Sequence, residues 1–175
     1  MSDRYRFKLR SYKVFIIRCL AVTILQPKHS PAGRAEFEKA RKATSEQTVA
    51  WYDLVMTKIL VVEDIADTAA LMKSILELSG FKVVLGFDGV DGIEQARAES
   101  PDLIITDIAM PRLNGIEMIQ QLRGMPEFKT TPILAITSHG MDKAMEALKA
   151  GASRALARPI QNHLLLVFVF DLLRK

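Results

Sequence analysis

Cysteine is almost absent from this 175-residue chain. Cys19 stands alone, which excludes an internal disulfide and suits a reducing, cytoplasmic setting. Long apolar runs are missing too. None reaches the ~20 residues needed to cross a bilayer, so no membrane association is expected. Internal repeats and low-complexity tracts are lacking as well. The formal net charge of +4 suggests a basic, nucleic-acid-binding chain, but its distribution argues otherwise. Residues 1–57 hold 11 Lys+Arg against 5 Asp+Glu, whereas residues 58–175 hold 13 against 15. All the basic excess lies in the N-terminal third. DNA binding would therefore rest on the charge of residues 1–18 alone, and it is not expected.

What is present is a regular alternation from Lys58 onward. Apolar strand candidates fall at 58–62, 81–86, 102–106, 132–136 and, more weakly, 154–157. Their apolarity is continuous rather than alternating, as in parallel strands covered on both faces. Helical segments lie near 66–79, 89–98, 115–123, 142–150 and 160–174. The first places Leu71, Met72, Ile75, Leu76 and Leu78 on one side and ends at Gly80, a C-terminal cap. The third carries Ile116, Ile119 and Leu122 after a turn at Asn114-Gly115. Five such units predict a doubly wound α/β domain over 56–175, with a five-stranded parallel sheet. In such folds ligands bind beyond the carboxyl ends of the strands.

Residues 1–55 read as an N-terminal extension. Residues 4–13 are basic, and 14–25 are apolar but interrupted by Arg18. That arginine and a poor cleavage site speak against a signal peptide. Phe37, Ala40, Thr44, Thr48, Trp51 and Val55 allow a short amphipathic helix over 34–55. The simpler expectation is that Met56, two residues before the first strand, is the true translation start.

The strand ends carry the chemistry. The run Lys58-Ile59-Leu60-Val61-Val62 delivers Glu63 and Asp64, and Leu103-Ile104-Ile105-Thr106 delivers Asp107. Three carboxylates at one sheet edge repel each other and call for a divalent cation. The fourth strand ends on Thr137 and the fifth on Arg158-Pro159. Taken singly, each residue has a plain explanation. Glu63-Asp64 would favour a helix N-terminus, Asp107 would be a turn residue, and Thr137 and Arg158 would be ordinary strand ends. Together, acid pair, acid, hydroxyl and cation form the inventory for phosphoryl transfer onto a carboxylate. A metal on Glu63, Asp64 and Asp107 would neutralise phosphate oxygens, and Asp107 would attack phosphorus to give an acyl phosphate. Thr137 and Arg158 would hold the transferred group.

With these residues in this order, the chain from 58 to 175 closely resembles the response-regulator receiver domain of two-component signalling. Met110-Pro111, Asn114-Gly115 and Gly151-Ala152 add to the match. The resemblance implies a flavodoxin-like strand order, 2-1-3-4-5, and Asp107 as phosphoacceptor. It also implies Mg²⁺ on Asp64, Asp107 and the Ala109 carbonyl, with Glu63 acting through water. The implied partners are a histidine kinase or histidine phosphotransfer protein and a downstream protein target. The activity is signalling rather than enzymatic, and with nothing after residue 175 a stand-alone receiver is expected.

Three positions depart from the family pattern. Arg158 replaces a lysine, and the two are not interchangeable at a phosphate site. The switch position on the last strand is Ala155, which has no ring to move when Thr137 does. Ser138 stands where a smaller residue is usual. A degenerate receiver, binding proteins without phosphorylation, is therefore the alternative. An aspartate-dependent phosphatase is disfavoured, because Ile108-Ala109-Met110 supplies no second acid. Finally, the unbroken apolar run Leu164–Phe170 reads either as a helix buried on its own sheet or covered by the N-terminal extension, or as a surface for homodimerisation or partner docking.

Overall fold

A computed structural model describes residues 57–174. The expectations for residues 1–55, for the helix over 34–55 and for Met56 lie outside the described residues.

Five strands alternate with five helices: β1 Lys58–Val62, α1 Ala66–Leu78, β2 Lys82–Gly86, α2 Gly89–Glu99 and β3 Leu103–Asp107. They continue with α3 Gly115–Gly124, β4 Ile133–Thr137, α4 Gly140–Ala150, β5 Arg154–Ala157 and α5 Asn162–Leu172. A 3₁₀ turn at Pro126–Phe128 joins α3 to β4. All strand pairs are parallel and the sheet order is β2-β1-β3-β4-β5. The expected architecture is present, each strand within a residue of its predicted bounds.

The unbroken apolar strands have the expected cause. Leu60 and Val62 of β1 pack on one side of the sheet, with Ile93, Met118, Ile119, Leu122 and Ala147. Their neighbours Ile59 and Val61 pack on the other side, with Met72, Leu76, Leu165 and Val169. Thus α2, α3 and α4 cover one face and α1 and α5 the other. Strands buried on both faces cannot alternate polar and apolar residues.

Helix boundaries follow local chemistry. Asp88 caps α2, its side chain accepting from the Val90 and Asp91 N–H groups, and Asn114 caps α3 by accepting from Glu117. Gly80 follows α1 at φ 96°, and Gly151 ends α4 at φ 112°, where a side chain would be strained. The apolar face of α1 is narrower than its sequence suggests. Met72 and Leu76 are buried, but Leu71 is 57% and Leu78 90% exposed. The buried positions of α1, Ala69, Met72 and Leu76, are spaced three and four apart and form one narrow stripe facing the sheet.

The apolar run of α5 is largely explained by its own sheet. Leu165 and Val169 are buried, Phe170 lies 5.3 Å from Phe81 between ring centroids, and Leu166 and Phe168 pack beside them. Among the described residues no helix is long and apolar enough to cross a membrane.

Candidate functional site

The parallel register brings the functional strand ends level. Val62 pairs with Thr106, Asp107 with Ile136, and Thr137 with Ala157. Glu63, Asp107, Thr137 and Arg158 therefore emerge at one carboxyl edge, on β1 and on the strands from β3 to β5. The Arg158 N–H donates to the Thr137 carbonyl at 2.7 Å, and the Ile108 N–H to that of Ile136 at 2.9 Å. These bonds hold the edge in place.

Arg158 closes the site. Its Nη2 donates to Glu63 Oε2 and, at 3.2 Å, to Asp107 Oδ1. Glu63 and Asp107 are buried, whereas the Arg158 side chain keeps 31% of its surface exposed. The second oxygen of Asp107 accepts from the Ala109 N–H at 2.8 Å. Thr137 is fully buried, and its Oγ1 accepts from the His139 N–H at 3.0 Å. The peptide between Arg158 and Pro159 is cis.

Two of the three carboxylates expected to call for a divalent cation, Glu63 and Asp107, are bridged by Arg158. Asp64 is exposed. Among the described residues no three His, Cys, Asp or Glu side chains converge as a metal-holding group. The long arm of arginine reaches two carboxylates from β5, which the strand sequences did not reveal. In kind, the donors still fit Mg²⁺: carboxylates and a backbone carbonyl are the oxygen ligands that ion takes.

Burial, opposed by Arg158 and reinforced by the Asp107 charge, holds the Glu63 carboxyl above its ordinary value near 4.5. A raised folded value means that the native state binds this proton more tightly than the unfolded chain. The stability it contributes is complete below about 4.5 and is lost as pH rises through the folded value. Glu63→Gln carries no charge at any pH, so its stability should decline less over that interval. Urea unfolding from pH 4 to pH 8 measures the difference. Equal slopes would rule out Glu63 as the source.

Three neighbours of the site had weak or no sequence signals. Asp88-Gly89 is a turn dipeptide, yet nothing along the chain links it to the loop after Asp107. Arg112, in that loop, pairs with Asp88 and has φ 62°. His139 enters through its backbone, which no residue pattern announces.

Comparison with known proteins gives a consistent result. The family model for the response regulator receiver domain matches residues 59–169. Over 116 residues, 66% of this chain, the sequence is 39% identical to hybrid signal transduction histidine kinase D of Dictyostelium discoideum. It is 36% identical over 110 residues, 62% of this chain, to the regulator of RpoS of Escherichia coli. It is also 36% identical over 122 residues, 69% of this chain, to response regulator ArlR of Staphylococcus saprophyticus. The matched parts span 7%, 32% and 54% of those proteins respectively. Among solved structures, the chemotaxis response regulator CheY4 of Vibrio cholerae superposes with a TM-score of 0.64 at 29% identity. The match covers 67% of this chain and 98% of that one. The receiver domain of Francisella response regulator 1452 gives 0.63 at 27% identity, covering 67% and 97%. The sheet order, the level strand ends and the matched residues all agree: this chain belongs to the response-regulator receiver domain family.

Proposed function

We propose that this receiver accepts a phosphoryl group on Asp107 from a histidine kinase or histidine phosphotransfer protein and signals by protein contact. The observation that carries the reading is Asp107 itself. It is a buried carboxylate with a guanidinium on one oxygen and a backbone N–H on the other. One carboxylate oxygen attacks phosphorus, the bond from phosphorus to the donor nitrogen breaks, and an acyl phosphate forms as the imidazole leaves. Arg158 offers its charge to the phosphoryl oxygens. Thr137, whose oxygen already accepts from His139, has its own proton to donate to them.

Asp64, Asp107 and the Ala109 carbonyl would hold Mg²⁺, with Glu63 acting through water. When bound, the ion neutralises charge on the phosphoryl oxygens. Residues 56–175 would form the receiver unit, in the cytoplasm, with 1–55 as an appendage. The conformational response should be muted. Ala155 lies level with Ala135 on β4 and has no aromatic ring to change rotamer.

The second reading is a degenerate receiver, favoured by Arg158 already engaging both carboxylates. A small phosphodonor with Mg²⁺, followed by mass measurement, separates the two. An acid-labile adduct is expected on the wild type and none on Asp107→Asn. An unmodified wild type would support the degenerate reading. With a beryllium fluoride mimic, NMR shifts should stay near Asp107 and Thr137. Large shifts through 142–174 would overturn the muted response.

A further inference from the structure

The loop from Ile108 to Asn114 follows the phosphoacceptor, and its far end is tied to a different element. Arg112 forms an ion pair with Asp88. Asp88 is also the cap of α2, with Oδ1 accepting from Val90 at 2.8 Å and Asp91 at 3.0 Å. Its Oδ2 is the oxygen facing Arg112. The aspartate side chain is 5% exposed and the arginine 65%, so a surface cation completes a buried anion. Arg112 adopts a left-handed φ of 62°, which residues other than glycine seldom take unless their surroundings hold them there. A second bond runs beside the ion pair. The Gly89 N–H donates to the Leu113 carbonyl at 3.0 Å, and a Cβ on Gly89 would collide with that oxygen. At the near end, the Ala109 N–H reaches Asp107 Oδ2, and the Gly115 N–H donates to Ile108 at 3.0 Å.

We propose that Arg112 is a positioning residue. Its ion pair with Asp88 holds the 108–114 loop so that the Ala109 backbone stays set against Asp107. Arg112 touches no reacting group and acts through the loop. The functional consequence rests on the phosphoacceptor reading; the structural one does not. The pair also links the edge strand β2 to the centre of the sheet, so a disturbance at the start of α2 reaches the site.

Three variants of the full chain test this. Arg112→Gln keeps the length and loses the charge, whereas Arg112→Lys keeps the charge. Arg112→Gly removes the backbone strain along with the ion pair. The readouts are the backbone amide NMR signals of Ala109 and Gly115 without metal, and the affinity for Mg²⁺ by calorimetry. The glutamine and glycine variants should shift both amides and weaken Mg²⁺ binding by roughly tenfold, as loss of a supporting partner around a metal site does. Lysine should restore most of both. Wild-type amide signals and affinity in Arg112→Gln or Arg112→Gly would overturn the proposal. If the wild type binds no Mg²⁺, the phosphoacceptor reading fails, and the metal-free amide signals still decide the role of Arg112.

Discussion

Asp64→Ala is expected to abolish Mg²⁺ binding and, with it, phosphoryl loading of Asp107. Glu63 and Asp107 share the Arg158 guanidinium, so an incoming cation competes with an internal one for both. Asp64 is exposed, and none of the ion pairs among the described residues involves it. It is the carboxylate free to capture a hydrated ion. Removing it leaves donors that are already neutralised. The affinity should fall by roughly a hundredfold or more, past the ~10–100-fold that supporting partners command. Calorimetry of wild type and variant measures this directly. An affinity unchanged by Asp64→Ala would remove Asp64 from the site.

Gly115→Ala should injure both stability and phosphorylation. Gly115 opens α3 directly against Asp107, the proposed phosphoacceptor. A Cβ there would overlap the Asp107 carbonyl oxygen and stand 3.0 Å from the Asp107 carbonyl carbon and the Ile108 Cα. These are backbone atoms with no rotamer to yield, so the chain at Asp107 must move. Overpacking of this kind costs about 1–3 kcal/mol, more than the roughly 0.5–1 kcal/mol that alanine gains over glycine within a helix. The melting temperature should drop by roughly 2–10 °C. Phosphoryl uptake should slow even well below that temperature, because the nucleophile itself is displaced. Gly124→Ala is the matched control at the other end of α3, where nothing lies within 4 Å of an added Cβ. It should melt at or slightly above the wild-type temperature. Similar behaviour of the two variants would show that the approach of Gly115 to Asp107 is not tight.

The elements were legible because their causes are local. A run such as Ile59-Leu60-Val61-Val62 must be covered on both faces, and that alone implies a parallel strand between helix layers. Asp88 and Asn114 mark helix starts by bonds to residues two or three positions on. Gly80 and Gly151 mark helix ends by a φ that other residues avoid. The exposure of Leu71 and Leu78 was not legible. Periodicity locates an apolar face, but its width depends on how closely the sheet lies beneath it, and that is tertiary.

The candidate site divides along the same line. Which residues stand at the strand ends, and hence that acid, hydroxyl and cation share one edge, followed from the sequence by itself. Each is the next residue after a recognisable run. Which of them pair did not follow. Arg158 is 95 residues from Glu63 and 51 from Asp107, and only the crossover order β2-β1-β3-β4-β5 with its level register brings one guanidinium to both carboxylates. The same holds for Arg112 and Asp88, which meet because the loop after β3 crosses the start of α2. Local propensity acts over a few residues along the chain and determined the elements. Ion pairing acts through space, so only the tertiary structure decided which charges neutralise each other and which carboxylate, Asp64, remains exposed to solvent.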